Sequence, residues 1–131
     1  MTLVVDASVV AAALMDSGPE GTWAESILVS GPLVAPHLMP VEAANIMRRA
    51  AVMGDVSDAV ASLAHDDLVS LPIELFPYGL FASRVWELRR NITSYDAWYV
   101  ALAESLHVPM ATLDTKLSRA NGTRCEFLAP P

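Results

Sequence analysis

Short apolar segments with strand character alternate with helical segments along most of this chain. Residues 3–5 form the first such segment, which ends at Asp6 and is followed by the Ala- and Leu-rich segment 7–15. A similar apolar segment, 110–113, ends at Asp114. Strands that alternate with helices form a parallel sheet with helices packed against it. The sequence therefore predicts an α/β fold with a central, mostly parallel sheet of four to five strands flanked by helices.

The other elements are assigned from apolar periodicity and from the positions of glycine and proline. Further helices are predicted at 22–29, 41–53, 78–90 and 114–120, with one more starting after Ser57 and another running from Thr93 or Ser94 to about Pro109. Further strands are predicted at 33–35, 69–76 and 124–128. Pro72 makes the 69–76 segment either an edge strand or an irregular piece, because proline cannot donate a hydrogen bond to a neighbouring strand.

Length and composition limit the class of protein. The 131 residues fit a single domain covering 1–131. Hydrophobic residues make up 53% of the chain, yet charged residues interrupt each apolar run before it reaches the roughly 20 residues that cross a bilayer. No signal peptide is recognisable and there is one cysteine, Cys125, so we expect a cytoplasmic protein. The apolar surplus predicts a face covered by a partner.

The charge balance lowers the expectation of nucleic-acid binding without excluding it. The net charge is −7, and phosphate backbones are bound through basic side chains. Acids that coordinate a cation would remove part of this surplus locally. Seven of the eight basic residues are Arg, which suits phosphate, and Arg84, Arg89 and Arg90 lie close together in the sequence. An equally good explanation is a solvated helix face on which Arg84 pairs with Glu87.

Four acidic residues occupy equivalent places in the predicted fold. Asp6 and Asp114 follow strands, while Glu42 and Asp96 stand in the first turns of helices. Each alone has an ordinary explanation as a helix cap or a partner of the helix dipole. In a parallel sheet, however, the carboxyl ends of strands and the N-termini of the following helices lie at the same edge. We therefore expect the four carboxylates to meet.

Carboxylates that meet must be neutralised by protons or by a cation. A hard cation such as Mg²⁺ (or Mn²⁺) fits, since it binds through a few carboxylates and keeps waters and phosphate oxygens in its shell. Such an ion can activate water for attack on a phosphodiester. The acid set therefore predicts metal-dependent hydrolysis without a covalent intermediate.

Four motifs resemble those of the PIN-domain ribonucleases, in particular the VapC toxins of bacterial type II toxin–antitoxin systems. They are Val4-Val5-Asp6-Ala7-Ser8, Pro40-Val41-Glu42-Ala43-Ala44-Asn45, Tyr95-Asp96-Ala97-Trp98-Tyr99-Val100-Ala101-Leu102-Ala103 and Thr112-Leu113-Asp114. Their order and the chain length both match that family. The resemblance implies that the motif acids Asp6, Glu42, Asp96 and Asp114 bind Mg²⁺ or Mn²⁺, and that the activated water cleaves RNA.

The same resemblance implies supporting residues and partners. Thr112 and Ser8 would support the metal site by hydrogen bonding. Independently of the resemblance, Arg89 and Arg90 of the arginine cluster are candidates for contacts with RNA phosphates. Some relatives carry a further acid two residues after the last motif acid, where this chain has Lys116, so one metal ion is expected rather than two. The resemblance also implies a homodimer and a cognate antitoxin protein whose tail enters the acidic groove.

Two alternatives remain open at the level of the sequence. The first is a catalytically inactive protein of the same fold that binds RNA or another protein. The second is a different Mg²⁺-dependent phosphohydrolase, which is disfavoured because Asp6 lacks the second acid two residues on that many such enzymes use. The three histidines lack the spacing of zinc ligands, and no nucleotide-binding glycine motif is present.

Overall fold

Five parallel strands form one sheet in the computed structural model, which describes all residues 1–131. The strands are β1 (Leu3–Val5), β2 (Leu33–Pro36), β3 (Ile73–Phe76), β4 (Met110–Ala111) and β5 (Phe127–Leu128). Their order in the sheet is β3-β2-β1-β4-β5, and each neighbouring pair is parallel. The predicted α/β fold with four to five strands is confirmed, and β3 lies at an edge, one of the two outcomes that Pro72 allowed.

Six α-helices pack in two groups around this sheet. They are α1 (Ala7–Met15), α2 (Pro19–Leu28), α3 (Met39–Val52), α4 (Asp58–Ser70), α5 (Ala82–Glu87) and α6 (Ser94–Leu106). Helix α1 packs against α2, α3 and α4, whereas α6 packs against α5 and the central strands. No helix is both long and apolar enough to cross a membrane.

Several predicted boundaries were wrong. The helix predicted at 78–90 is a 3₁₀ turn, Gly79–Phe81, followed by the short α5, and the one predicted at 114–120 is only a 3₁₀ turn at Leu117–Arg119. In the predicted strand 69–76, helix α4 continues to Ser70 before Pro72 ends it. Strands β4 and β5 have only two residues each, and α2 starts at Pro19, a first-turn position that proline favours.

The strand order places a crevice beside the centre of the sheet. From β1 the chain goes to β2 on one side, and later returns to β4 on the other side. Ligands of open parallel sheets bind at such a reversal, outside the carboxyl ends of the two strands. Val5 is in register with Ala111, so the residues that follow, Asp6 and Thr112, emerge side by side at this point.

The ion pair between Arg84 on α5 and Glu104 on α6 also hydrogen-bonds to the backbone of the C-terminal segment 122–124. Arg84 donates to Glu104 through Nε (2.7 Å) and Nη2 (3.1 Å), and Nη2 also donates to the carbonyl oxygen of Gly122 (2.7 Å). The backbone N–H of Arg124 donates to the same carboxylate at 2.7 Å. The expected pairing of Arg84 with Glu87 is present but longer, at 3.9 Å. Arg84 is therefore mainly a structural residue.

Replacing Glu104 should make the protein less stable at neutral pH. Burial acts to raise the pKa of Glu104, but hydrogen bonds from Arg84 and the Arg124 N–H outweigh it and hold the pKa below its ordinary value of 4.5. A lowered pKa contributes stability above the ordinary value, and that contribution is lost as the pH falls through the folded value. Glu104→Gln should thus cost about 1 to 3 kcal/mol at neutral pH and progressively less in acid, measured by urea unfolding across that pH range.

Glu87→Gln is the matched control, because Glu87 also pairs with Arg84 but its side chain is 61% exposed. It should change the free energy of unfolding by less than about 0.5 kcal/mol. Equal losses in the two variants, or a Glu104→Gln deficit that does not shrink in acid, would show that the Glu104 hydrogen bonds do not anchor this segment.

Candidate metal centre

All four acids identified from the sequence line one cavity of about 270 Å³ at the crevice between β1 and β4. Asp6 is the N-cap of α1, Glu42 and Asp96 lie in the first turns of α3 and α6, and Asp114 follows β4. The cavity is lined by Asp6, Ala7, Ser8, Glu42, Asn45, Ile46, Asp96, Tyr99 and Asp114. The fold thus brings together the residues that the strand and helix pattern placed at one edge.

Asp6 is the most buried of the four, with 9% of its surface exposed. Its Oδ1 accepts hydrogen bonds from the Ser8 hydroxyl (2.5 Å) and from the backbone N–H of Val9 (3.1 Å). Its Oδ2 accepts a hydrogen bond from the Thr112 hydroxyl. These three donors fix the orientation of the carboxylate before any ligand binds.

Thr112 and Ser8 connect the β1 and β4 sides of the cavity. The Thr112 oxygen, which donates to Asp6, also accepts from the backbone N–H of Asp114 at 3.0 Å. The Ser8 oxygen likewise accepts a long hydrogen bond from the Leu113 N–H at 3.4 Å. Thr112 is fully buried, so its hydroxyl has no alternative partner in water. Both side chains therefore set the relative positions of Asp6 and Asp114.

Asp114 lines the cavity and also accepts hydrogen bonds from the segment that follows it. Its Oδ1 accepts from the backbone N–H groups of Lys116 (2.9 Å) and Leu117 (3.1 Å). These bonds close the 3₁₀ turn that stands where a longer helix was predicted. No side-chain hydrogen bond engages Oδ2, so this oxygen is available to a ligand.

Tyr99 is a site residue that the sequence analysis did not single out. Its hydroxyl donates to Oε1 of Glu42 at 2.6 Å, and its side chain is only 2% exposed. The signal was present in the spacing, because Tyr99 stands three residues after Asp96 on α6 and so shares its face. Asn45, three residues after Glu42 on α3, lines the cavity for the same reason.

Burial is the largest cause that raises the pKa of Asp6, Glu42 and Asp96 above ordinary values. Neighbouring negative charges add to it: Asp96 and Asp6 raise the pKa of Glu42, while Asp114 and Asp6 raise that of Asp96. Raised carboxyl pKa values contribute stability at low pH that is lost as the pH rises through them. At neutral pH the ionised set therefore opposes folding, and a bound cation would relieve that cost.

The donor set suits a hard divalent cation. Every charged side chain that lines the cavity is a carboxylate, and both ion pairs in the molecule belong to Arg84 rather than to these acids. No three His, Cys, Asp or Glu side chains lie close enough together to enclose an ion by themselves. That arrangement fits Mg²⁺ better than zinc, because Mg²⁺ takes one or two carboxylates and completes its shell with waters and substrate oxygens.

The structure separates the three clustered arginines. Arg84 is tied to Glu104, and the guanidinium of Arg89 lies 4.8 Å from the centre of the Trp86 ring while its Nη1 donates to the Trp86 carbonyl. Arg90 alone lines a cavity that contains Asp96 and Asp114. RNA contacts by Arg89 and Arg90 stay a prediction, and the geometry favours Arg90.

Comparison with known protein families supports the resemblance found in the motifs. Residues 3–122 match the PIN domain. Ribonuclease VapC1 of Mycobacterium tuberculosis is 38% identical over 125 residues, which cover 95% of this chain and 94% of that protein. Ribonuclease VapC9 of the same organism is 36% identical over 130 residues, covering 98% of each chain.

Solved structures share the fold. PAE2754 from Pyrobaculum aerophilum has a TM-score of 0.70 and 25% identity, covering 97% of this chain and 83% of that one. VapC20 of Mycobacterium tuberculosis, a toxin that cleaves the sarcin-ricin loop, has a TM-score of 0.68 and 17% identity, covering 93% and 96%. VapBC2 from Rickettsia felis, solved with a DNA fragment from its promoter, has a TM-score of 0.62 and 11% identity, covering 97% and 98%.

Proposed function

This chain belongs to the PIN-domain family and, within it, to the VapC ribonucleases, and we propose that it is a metal-dependent endoribonuclease that acts as the toxin of a toxin–antitoxin pair. The observation that carries the proposal is the presence of Asp6, Glu42, Asp96 and Asp114 around one cavity at the reversal of strand order. The curated relatives, all named as ribonucleases, favour an active enzyme over the inactive binding protein.

The four acids would have two roles, to bind a divalent ion and to activate the attacking water. A divalent ion bound by one or two of these carboxylates, with waters and substrate oxygens in the rest of its shell, would polarise a phosphoryl oxygen and lower the pKa of a bound water. Asp6, fixed by three donors, and Asp114 Oδ2 supply preoriented oxygens, and Asp96 lines the same cavity. Glu42 uses Oε1 to accept from Tyr99, which leaves Oε2 to accept a proton from the attacking water.

The overall reaction is hydrolysis of one phosphodiester. Water adds to phosphorus, one P–O ester bond breaks, and the leaving ribose oxygen takes up a proton. The ion is Mg²⁺ or Mn²⁺, since every charged ligand is a carboxylate. We propose a single ion, because Lys116 stands where a further acid would be needed for a second one.

The proposal is tested by incubating the purified chain with tRNA and rRNA in the presence of Mg²⁺ or Mn²⁺. The expected result is a small number of discrete cleavage products, as for VapC20, which shares this fold and cleaves the sarcin-ricin loop. A preparation that remains folded and binds RNA but never cuts it with either ion would support the inactive alternative instead.

Thr112→Val should impair cleavage without removing any of the four acids. The substitution keeps the shape of the side chain but removes the donor to Asp6 and the acceptor for the Asp114 N–H. Loss of a hydrogen bond that orients a ligand typically lowers metal affinity or activity roughly 10- to 100-fold. We expect a higher metal concentration for half-maximal cleavage, and a loss of about 1 to 3 kcal/mol in unfolding free energy.

Two variants separate this positioning role from general damage. Thr112→Ser keeps the hydroxyl and should recover most of the activity. Thr115→Val changes an exposed threonine whose side chain makes no hydrogen bond, and should behave like the unaltered protein. If Thr112→Val needs no more metal than the Thr115→Val control, Thr112 does not position the ligands.

We also propose that a cognate antitoxin protein covers part of this chain. Exposed apolar side chains on α3 and α4 support this, notably Val41 (65% exposed), next to Glu42, and Leu63 (64% exposed). The structure of VapBC2 from Rickettsia felis shares this fold. The test is to search the neighbouring reading frames for a small gene and to coexpress its product with this chain: a stable complex that inhibits cleavage is expected, and two independently purifying proteins would contradict the proposal.

We further propose a homodimer formed through the region around α5. Leu80 (74% exposed), Trp86 (63%) and Tyr95 (62%) expose apolar surface on the 3₁₀ turn 79–81, α5 and the first turn of α6, which pack against one another. Light scattering of the purified chain should give twice the chain mass. Trp86→Glu should shift that value toward the monomer, and a monomeric unaltered chain would contradict the proposal.

A further inference from the structure

A second cavity adjoins the acid cavity, and part of its wall is basic. Its volume is about 560 Å³, and it shares Asp96 and Asp114 with the acid cavity. The basic side chains of Arg90, Lys116 and Arg119 also line it. The acid site therefore continues into a space that carries three positive charges.

This concentration of basic side chains is unusual for the molecule. The chain has only eight Lys and Arg residues and a net charge of −7, yet three of the eight line this cavity. None of the three makes an ion pair or a side-chain hydrogen bond, whereas Arg84 and Arg89 are engaged within the protein. The three cations are thus unneutralised and available to an anion.

The walls of this cavity are fixed by the same contacts that build the acid site. Lys116 and Arg119 flank the 3₁₀ turn that the Asp114 carboxylate closes through the Lys116 and Leu117 N–H groups. Arg90 lies three residues before Thr93, the N-cap of α6. The loop that completes the wall ends at Gly122, whose carbonyl accepts from Arg84. The distance from the basic wall to the acids is therefore set by the fold.

The remaining lining groups suit a sugar-phosphate segment. Asn91, Asn121 and Thr93 offer amide and hydroxyl groups, while Ile92, Leu117 and Ala120 are the apolar members. The volume lies in the range that holds a ligand of nucleotide size. An isolated phosphate would be repelled by Asp96 and Asp114, but a strand with one phosphate at the metal centre can place the next one against the basic wall.

We propose that this second cavity binds the RNA nucleotide adjacent to the cleaved phosphodiester, with Arg90, Lys116 and Arg119 holding its phosphate. The inference rests on the proposed ribonuclease function and assigns the side on which the substrate strand leaves the metal centre. The basic cluster also accounts for how a chain of net charge −7 binds a polyanion: the contact is local, while the rest of the surface repels.

The test compares two triple variants that remove the same charge. The first variant removes the three cations that line the cavity, by Arg90→Gln, Lys116→Gln and Arg119→Gln. Arg48→Gln, Arg49→Gln and Arg124→Gln remove three exposed arginines that line neither the acid cavity nor this one. Both sets are placed in a Glu42→Gln background, which prevents cleavage while keeping an acceptor for Tyr99. The probe is a fluorescent, mixed-sequence single-stranded RNA in Mg²⁺, followed by anisotropy against salt.

Losing the contacts to this one phosphate should reduce the slope of log affinity against log salt by about 0.7, and affinity roughly 5-fold at about 0.1 M salt. The control triple should bind within about 2-fold of the parent. In the cleaving background the cavity variant should raise KM and leave kcat within a few-fold. Equal weakening in both triples would overturn the proposal, since the cations would then act only through net charge.

The binding assay tests RNA binding by this cavity even if the chain is not a ribonuclease. Suppose that the unaltered chain cuts no RNA. Equal RNA affinities of the two triple variants would still refute RNA binding by the cavity, and a loss of affinity only in the variant with the cavity substitutions would still support it. A cavity triple that binds RNA normally but no longer binds the cognate antitoxin would also overturn the proposal, because the basic wall would then serve a protein.

Discussion

Asp96→Asn should lower RNA cleavage by at least about 10³-fold while leaving the protein folded. The substitution keeps the size of the side chain but removes a charged ligand, and the several kcal/mol that a metal ion contributes to such reactions correspond to losses of this size. Burial and the negative charges of Asp114 and Asp6 raise the pKa of Asp96, so its ionised form is unfavourable in the metal-free fold. The free energy of unfolding in EDTA at neutral pH should therefore be unchanged or higher.

Asp58→Asn is the matched control for this variant. Asp58 also lies in the first turn of a helix, α4, but it is exposed and remote from the acid cavity. Cleavage rates and chemical unfolding are measured for both proteins. If Asp96→Asn cleaves RNA at a rate within 10-fold of the Asp58→Asn rate, the activation free energies differ by less than about 1.4 kcal/mol. Asp96 would then not be a ligand that cleavage requires.

Removing divalent metal should abolish cleavage completely and reversibly. Without a cation, the four carboxylates have no means to activate water at neutral pH, and their mutual repulsion disfavours an approaching phosphate. Cleavage is measured before and after exhaustive EDTA treatment, and again after addition of Mg²⁺, Mn²⁺ or Ca²⁺. Mg²⁺ and Mn²⁺ should restore it, since both accept octahedral oxygen coordination with retained waters.

The control for chelation is a measurement of whether the protein stays folded in EDTA. Circular dichroism in EDTA should match that of the metal-loaded protein, because the core of 29 buried residues does not include the acids. Cleavage that continues at the original rate in EDTA would mean that the reaction does not use the ion. Loss of secondary structure in EDTA would mean that the metal is structural.

The central strand of the fold and the positions of the acids could be predicted from the sequence. Strand β1 is continuous, apolar and almost fully buried, and it ends at an acid that caps the next helix, so local pattern and final structure agree. Thr93 likewise caps α6 through the Asp96 N–H, one of the two caps considered. These elements depend on neighbours within a few residues, which is the range that periodicity and capping describe.

The region from 78 to 90 could not be predicted because distant contacts determine it. The apolar pattern there favours one helix, and no proline or glycine between Leu80 and Arg90 marks an end. In the structure α5 stops at Glu87, where Leu88 becomes fully buried, and Arg84 reaches Glu104 twenty residues away. Pairing of Arg84 with the nearby Glu87 was the natural local expectation, but the buried partner forms the shorter contacts.

Parts of the site were also invisible to local pattern. The hydrogen bond from Tyr99 to Glu42 joins residues 57 positions apart, and that from Thr112 to Asp6 joins residues 106 apart. Sequence spacing could place Tyr99 on the face of Asp96, yet only the fold, which brings Glu42 within hydrogen-bond distance of Tyr99, reveals its partner. The cavity formed by Arg90, Lys116 and Arg119 depends in the same way on the fold of the 3₁₀ turn after β4.

Mn²⁺ binding measured by electron paramagnetic resonance tests the metal centre most directly, because free and protein-bound Mn²⁺ are distinguished without RNA. The unaltered chain should bind one Mn²⁺ per subunit, displaceable by Mg²⁺, and the double variant Asp96→Asn, Asp114→Asn should bind at least about 10-fold more weakly, a change of about 1.4 kcal/mol. Equal Mn²⁺ binding by the double variant and the unaltered chain, or no binding by either, would contradict the assignment of these acids to a metal centre.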